Sequence, residues 1–192
     1  MQPKSIPGLL DPDFLAGDAP DIAPSLLGKI LRVKGCWGRI IEVEAYTSDD
    51  PASHSRRGIT PRNATMFAAP GTLYVYLIYG IHCCANIVTG VEGDGQAVLL
   101  RGVQPMKGVA TMRRRRGDHP NLSSGPGRLC QAFGLDRRHD GLQVCDPHSP
   151  VQLIDDGMVP GVPIGSGPRI GISDGLDLMW RWWLAPENGR SR

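Results

Sequence analysis

At 192 residues, with 41% apolar and 21% charged side chains, the chain has the size and balance of one globular domain with a real core. No stretch approaches the ~18–20 uninterrupted apolar residues of a membrane-spanning helix, and the first residues lack the apolar centre of a secretory signal. The net charge is only +2, yet residues 51–138 hold 12 basic against 4 acidic side chains while both flanks are net acidic, the footprint of a polyanion-binding face.

In chain order, residues 1–21 are rich in Asp and Pro and read as an irregular lead-in. Residues 23–31 predict a short helix with Pro24 near its first turn, followed by a strand. Residues 38–46 are a strand by alternation, with Ile41, Val43 and Ala45 on one face and Ile40, Glu42, Glu44 and Tyr46 on the other. A polar, basic loop fills 47–68. Strands over 72–79 and 82–89 follow, joined tightly at Tyr79-Gly80-Ile81, so a hairpin is expected. Another strand covers 97–103. A helix over 106–116 ends in four arginines, Arg113 to Arg116, which suit a helix C-terminus as well as a solvated cluster. Serines before Pro126 predict a capped helix over 123–133. A strand near 151–154 and closing strands over 169–173 and 178–184 complete the chain, with no repeat or linker between.

The 25 glycines and 17 prolines favour turns and sheet over a helical bundle. The five cysteines, Cys36, Cys83, Cys84, Cys130 and Cys145, are odd in number and include no Cys-x-x-Cys, so reduced thiols in a cytoplasmic protein are expected. None of the histidines stands at ligand spacing with a cysteine pair, so a structural zinc is not expected.

Chemistry concentrates around Glu44. Two carboxylates and a tyrosine on one face of an apolar strand are poorly explained as core. The loop that follows carries His54, Arg56, Arg57, Thr60 and Arg62, and the next strand carries Tyr74, Tyr76 and Tyr79. Burial raises a carboxylate pKa and a neighbouring arginine lowers it, so a Glu–Arg pair can serve as a general base, and Arg101 is the candidate partner. The chain has no dinucleotide fingerprint, no Walker loop and no Gly-x-Ser-x-Gly.

A series of motifs then follows in one order: Glu42-Val-Glu-Ala-Tyr46, His54-Ser-Arg, Thr60-Pro-Arg-Asn63, Pro70-Gly-Thr-Leu-Tyr-Val-Tyr-Leu-Ile-Tyr-Gly80, Asn86-Ile, Val98-Leu-Leu-Arg101, Ser124-Gly-Pro-Gly-Arg-Leu-Cys-Gln131 and Arg169-Ile-Gly-Ile172. In this order they resemble the alkyladenine (methylpurine) DNA glycosylase family, over about residues 24–184. The resemblance implies an α+β fold, a strongly curved and mainly antiparallel sheet with peripheral helices and a protruding hairpin. It also implies base excision: a damaged purine is flipped out of duplex DNA and its N-glycosidic bond is hydrolysed. Carried over, Glu44 activates water with Arg101 beside it, Tyr46 stacks on one face of the base, and His54 and Tyr76 lie on the other. Asn86 forms the pocket floor against the 2-amino group of guanine. Tyr79 is the wedge in the minor groove, and Ile81, Arg56, Arg57, Thr60, Arg62 and Tyr74 complete the DNA-facing set.

The only lysines are Lys4, Lys29, Lys34 and Lys107, none within these motifs, which favours a monofunctional enzyme over a Schiff-base lyase. The partner implied is double-stranded DNA bearing a damaged purine, bound by a monomer that makes no use of a membrane, and no metal or organic cofactor is implied, since water is the only co-substrate. Two other readings stand beside it: a non-catalytic nucleic-acid binder on the same scaffold, and an O-glycoside hydrolase that uses Glu42 and Glu44 as its carboxylate pair.

Overall fold

A computed structural model describes residues 8–185. The first seven residues of the expected lead-in, with Lys4, lie outside the described residues. Among the described residues the strands are β1 (Ile30–Val33), β2 (Cys36–Tyr46), β3 (Leu73–Ile78), β4 (His82–Thr89), β5 (Gln96–Lys107), β6 (Val151–Ile154), β7 (Ile164–Gly167) and β8 (Arg181–Leu184). They form one sheet in the order β3-β4-β5-β2-β1-β6, with β8 paired to β2 and β7 to β8. Every pairing is antiparallel, and the sheet curls strongly into a half-barrel, the α+β architecture expected.

Strand β2 is the hub. One edge pairs with β5 throughout, while the other pairs first with β1 (Val33↔Cys36 to Ile30↔Arg39) and then with β8 (Glu42↔Trp183 to Glu44↔Arg181). The change of partner coincides with a slip in register against β5: Ile40 faces Val103, Glu42 faces Gly102 and Val43 faces Leu100. Ile41 and Arg101 are thus the unpaired extra residues of a double bulge, which re-aims both chains locally. The slip overturns the simple alternation expected for 38–46. Ile40 is fully buried in the core with Val43 and Ala45, whereas Ile41 is only half-buried.

Among the described residues three α-helices cover one face of the sheet. α1 (Ala19–Leu26) begins earlier than expected, because Pro20 in its first turn is better placed than Pro24 to start it. Pro24 falls inside, and burial of Ala19, Ala23 and Leu26 offsets the lost backbone bond. α2 (Val109–Arg116) buries Met112, and α3 (Pro126–Phe133) buries Leu129, Cys130, Ala132 and Phe133. A Cβ at Gly38 would lie 2.8 Å from the Phe133 ring and 2.4 Å from the Val103 side chain, so the glycine lets α3 close on β2. The expected serine cap of α3 is absent. Gly125 is the capping residue, and the Ser123 hydroxyl donates to the Val103 carbonyl instead.

Two further expectations change. Residues 169–173 form an irregular strap rather than a strand, and the last hairpin uses β7 instead. Arg115 and Arg116 are engaged with α3 and its approach: Arg115 donates to the Ala132 carbonyl, and Arg116 to the Leu122 carbonyl and Gln131.

Candidate active site

The face of the sheet opposite the main core carries the site. A row of cross-strand partners, Tyr74↔Asn86↔Leu99↔Glu44, crosses β3, β4, β5 and β2. Directly paired residues point to the same face. Over this row opens a cleft of about 310 Å³, walled by Tyr46, His54, Tyr74, Tyr76 and Met66 and floored by Asn86, Leu99 and Cys84. Arg101, Pro126 and Ile170 to Ile172 of the strap close it on the other side.

Glu44 lies one layer behind the cleft surface, 0% exposed. Its Oε2 accepts from the Tyr46 hydroxyl at 2.9 Å and from Arg101 Nη1 at 3.2 Å, and its Oε1 accepts from the Ile170 amide at 2.8 Å. All three donors belong to residues that line the cleft. The carboxylate is therefore met by donors only, a set that suits an acceptor-only group. Burial first, and then the charge of Glu44, push the Tyr46 hydroxyl well above the ordinary phenol range, so it stays protonated and donates. Arg101 sits between two carboxylates, its Nε 3.4 Å from Glu42 Oε1, while Glu42 also takes Arg181 Nε at 2.7 Å. The charges alternate along the line Arg181–Glu42–Arg101–Glu44, so each partly or wholly buried charge has an opposite neighbour.

Facing Tyr46 is an aromatic cluster. His54 and Tyr76 meet edge to face at 4.5 Å between ring centroids, and Tyr74 and Tyr76 are tilted at 5.4 Å. Desolvation and the nearby Arg62 charge lower the His54 pKa, and its Nδ1 lies 3.1 Å from the Tyr74 hydroxyl. Asn86 is 4% exposed, and its amide donates to the Tyr74 carbonyl at 3.1 Å.

The β3–β4 hairpin projects Tyr79, 85% exposed, and Ile81, 73% exposed, at its tip. Tyr79 (φ 52°) and Gly80 (φ 72°) are both left-handed, and for a tyrosine that conformation costs about 1–2 kcal/mol. Strain of this kind is typical of functional positions. In the loop before β3, Arg56, Arg57 and Arg62 are exposed. Thr60 bonds inward, its amide and hydroxyl both donating to Asn63 Oδ1, and Asn63 in turn donates to the carbonyls of His54 and Gly58. Tyr74 requires a correction. Grouped in the sequence with the DNA-facing residues, it is 1% exposed and reaches the cleft rather than the outer surface. Its place follows from the pairing with Asn86, which sets it on the cleft face of β3.

Residues 13–188 match the family described as Methylpurine-DNA glycosylase (MPG). The chain belongs to this family. It is 48% identical over 169 residues to a protein of Burkholderia lata, covering 85% of this chain and 82% of that one. Identity is 49% over 173 residues with a protein of Rhodopseudomonas palustris (89% and 84% covered), and 47% over 175 residues with one of Nitrosospira multiformis (90% and 88%). All three carry the provisional name 3-methyladenine DNA glycosylase.

The methylpurine-DNA glycosylase family hydrolyses N-glycosyl bonds in DNA, and that assignment removes the O-glycoside reading. Geometry agrees, since Glu42 does not line the cleft and shares Arg101 with Glu44 rather than standing across a substrate from it. In this glycosylase the sequence-predicted Glu44, Arg101, Tyr46, His54, Tyr76 and Asn86 are brought together around one cleft, with Tyr79 at its edge. In the sequence Arg169-Ile-Gly-Ile172 is a motif whose residues have no assigned place; the fold brings the Ile170 amide to Glu44 and pairs Arg169 with Asp50.

Proposed function

We propose that this glycosylase removes alkylated and deaminated purines, 3-methyladenine, 7-methylguanine, hypoxanthine and ethenoadenine, from duplex DNA by simple hydrolysis, the step that starts base excision repair. The observation that carries the reading is the Glu44 carboxylate, fully buried directly behind an aromatic cleft and held by three donors that line it. The names of the relatives support the substrate class.

A flipped purine fits between Tyr46 on one side and His54 with Tyr76 on the other. Electron-rich rings attract a cationic alkylated base. Water adds to C1′ of the sugar as the C1′–N9 bond breaks, and its proton passes to Glu44 past the Tyr46 hydroxyl, the Arg101 guanidinium and the Ile170 amide. A cationic base leaves as a neutral molecule, whereas neutral hypoxanthine and ethenoadenine rely more on fit and on proton delivery. Tyr79 fills the gap in the stack, Ile81 stands beside it, and Arg56, Arg57 and Arg62 offer cations to the phosphates. Among the described residues no lysine lines the cleft, in keeping with a monofunctional enzyme.

Duplexes bearing a single hypoxanthine or ethenoadenine, incubated with the protein and then cleaved by alkali, test the reading on a gel. Strand scission with wild-type protein is expected. Glu44→Gln, nearly isosteric but unable to take a proton, should bind the lesion and lose about 10²–10⁴-fold in single-turnover rate. A near-wild-type rate in that variant removes Glu44 from the mechanism, and a wild-type protein that binds lesions without scission is the non-catalytic binder.

A further inference from the structure

One fully buried ion pair has no part in the chemistry above. Asp50, just beyond β2, and Arg169, at the start of the strap, both have 0% exposed side chains and form a two-pronged contact: Nη1 with Oδ2, and Nη2 with Oδ1 at 2.8 Å. Arg169 Nη1 also donates to the Ala45 carbonyl of β2 at 3.0 Å. The guanidinium lies over the Tyr46 ring, 4.6 Å from its centroid, and 5.4 Å from that of Trp180. The strap folds back over the pair at Gly175, where a Cβ would sit 2.9 Å from Nη2.

A buried ion pair is weak evidence for stability, since apolar residues of similar volume often serve as well or better. Geometry is a better reason for this one. A planar guanidinium grips both oxygens of a carboxylate with a two-pronged fork while a remaining N–H bonds a third fixed acceptor, a geometry that neither an apolar side chain nor the point charge of a lysine reproduces. Here it joins the loop after β2, the β2 backbone and the strap, and it backs the ring that walls the cleft. The next peptide along, the Ile170 amide, holds Glu44 Oε1.

We propose that Asp50 and Arg169 are positioning residues for excision: the pair locks the strap and the Tyr46 ring so that the Ile170 amide and the Tyr46 hydroxyl aim Glu44 at the attacking water. This rests on the excision reading of Glu44. Without the lock Glu44 keeps its chemistry but loses its aim, and a misplacement of ~1 Å can cost about 10²-fold in rate.

The test is single-turnover excision of hypoxanthine from a duplex by Asp50→Asn and Arg169→Lys, at saturating enzyme. Affinity for a duplex with an uncleavable abasic-site analogue and the reaction amplitude are measured in parallel. The rate constant should fall about 10- to 100-fold, with affinity within about threefold of wild type and full amplitude. A purely structural role gives another pattern, reduced amplitude with an unchanged rate constant in the surviving fraction, and that result overturns the proposal. So does an unchanged rate constant at full amplitude. Should neither variant fold, an amide-to-ester replacement at Ile170 deletes the donor and leaves the pair in place; an unchanged rate there also overturns it. Wild-type protein inactive on hypoxanthine, ethenoadenine and methylated duplex DNA alike sinks the excision reading itself, whereas active wild type with fully active variants sinks only the positioning pair.

Discussion

The Tyr46 hydroxyl donates to Glu44 Oε2 across 2.9 Å, so one residue both walls the cleft and holds the carboxylate behind it. The two positions are i and i+2 on β2, which places them on one face, and the double bulge lies before them, so their spacing is regular. Tyr46→Phe separates the two jobs. The ring remains to stack, while a hydrogen bond to a charged group, typically about 1.5–3 kcal/mol, is lost. The single-turnover rate on hypoxanthine should fall about 10- to 100-fold with little change in lesion affinity. If affinity falls and the rate constant does not, the tyrosine acts only as a wall.

Asn86→Ser should relax discrimination at the purine 2-position. The side chain is buried on the cleft floor and anchored to the Tyr74 carbonyl, so it cannot swing away from an incoming amino group. A smaller residue relieves that clash, at a stability cost of about 0.5–1.5 kcal/mol for the lost hydrogen bond. Release of unmodified guanine from duplex DNA, compared with release of hypoxanthine, measures it. Guanine excision no faster than wild type, with hypoxanthine activity retained, assigns discrimination elsewhere.

DNA affinity should fall steeply with salt, and the two arginine groups should differ. Arg56, Arg57 and Arg62 are exposed around the cleft loop, whereas Arg115 and Arg116 are already bonded to α3 and the chain before it. Each phosphate contact contributes about 0.9 to the log–log salt slope. Replacing Arg56, Arg57 and Arg62 together should flatten the slope more than replacing Arg113 to Arg116. Equal flattening means that the helix-end cluster also binds phosphate.

Tyr79→Ser should impair capture of the flipped nucleotide more than the bond-breaking step. The side chain is 85% exposed at the hairpin tip, in a left-handed conformation that serine must also adopt, so folding changes little. Filling a vacated stack offsets unstacking that costs a few kcal/mol, so duplex affinity should drop by about tenfold or more. Ethenoadenine fluorescence, titrated in duplex and in single-stranded DNA, reports capture directly. The loss should be confined to the duplex. Equal losses on both substrates make Tyr79 an ordinary surface aromatic.

Much of this was legible in the chain itself. Alternation located β2, and the Tyr79-Gly80 turn located the hairpin, because strand period and turn chemistry are local properties. The order of motifs pointed to the family from the sequence alone, and the family match agrees. Helix edges were less legible. The sequence put the start near Pro24, whereas α1 begins at Ala19, which is buried with Ala23 and Leu26.

What the tertiary structure alone decided is everything that depends on register and on distant strands. The double bulge that buries Ile40 and leaves Arg101 between Glu42 and Glu44 is a slip between two strands, invisible in either one. Tyr74, grouped in the sequence with the DNA-facing residues, is set on the cleft face and buried by its pairing with Asn86. Arg169 lies 119 residues from Asp50, and Ile170 lies 126 from Glu44. Local preferences act over a few residues, so the types of chemistry could be read from the sequence. Ion pairs and amide donors act through space, so their partners existed only once the chain had closed.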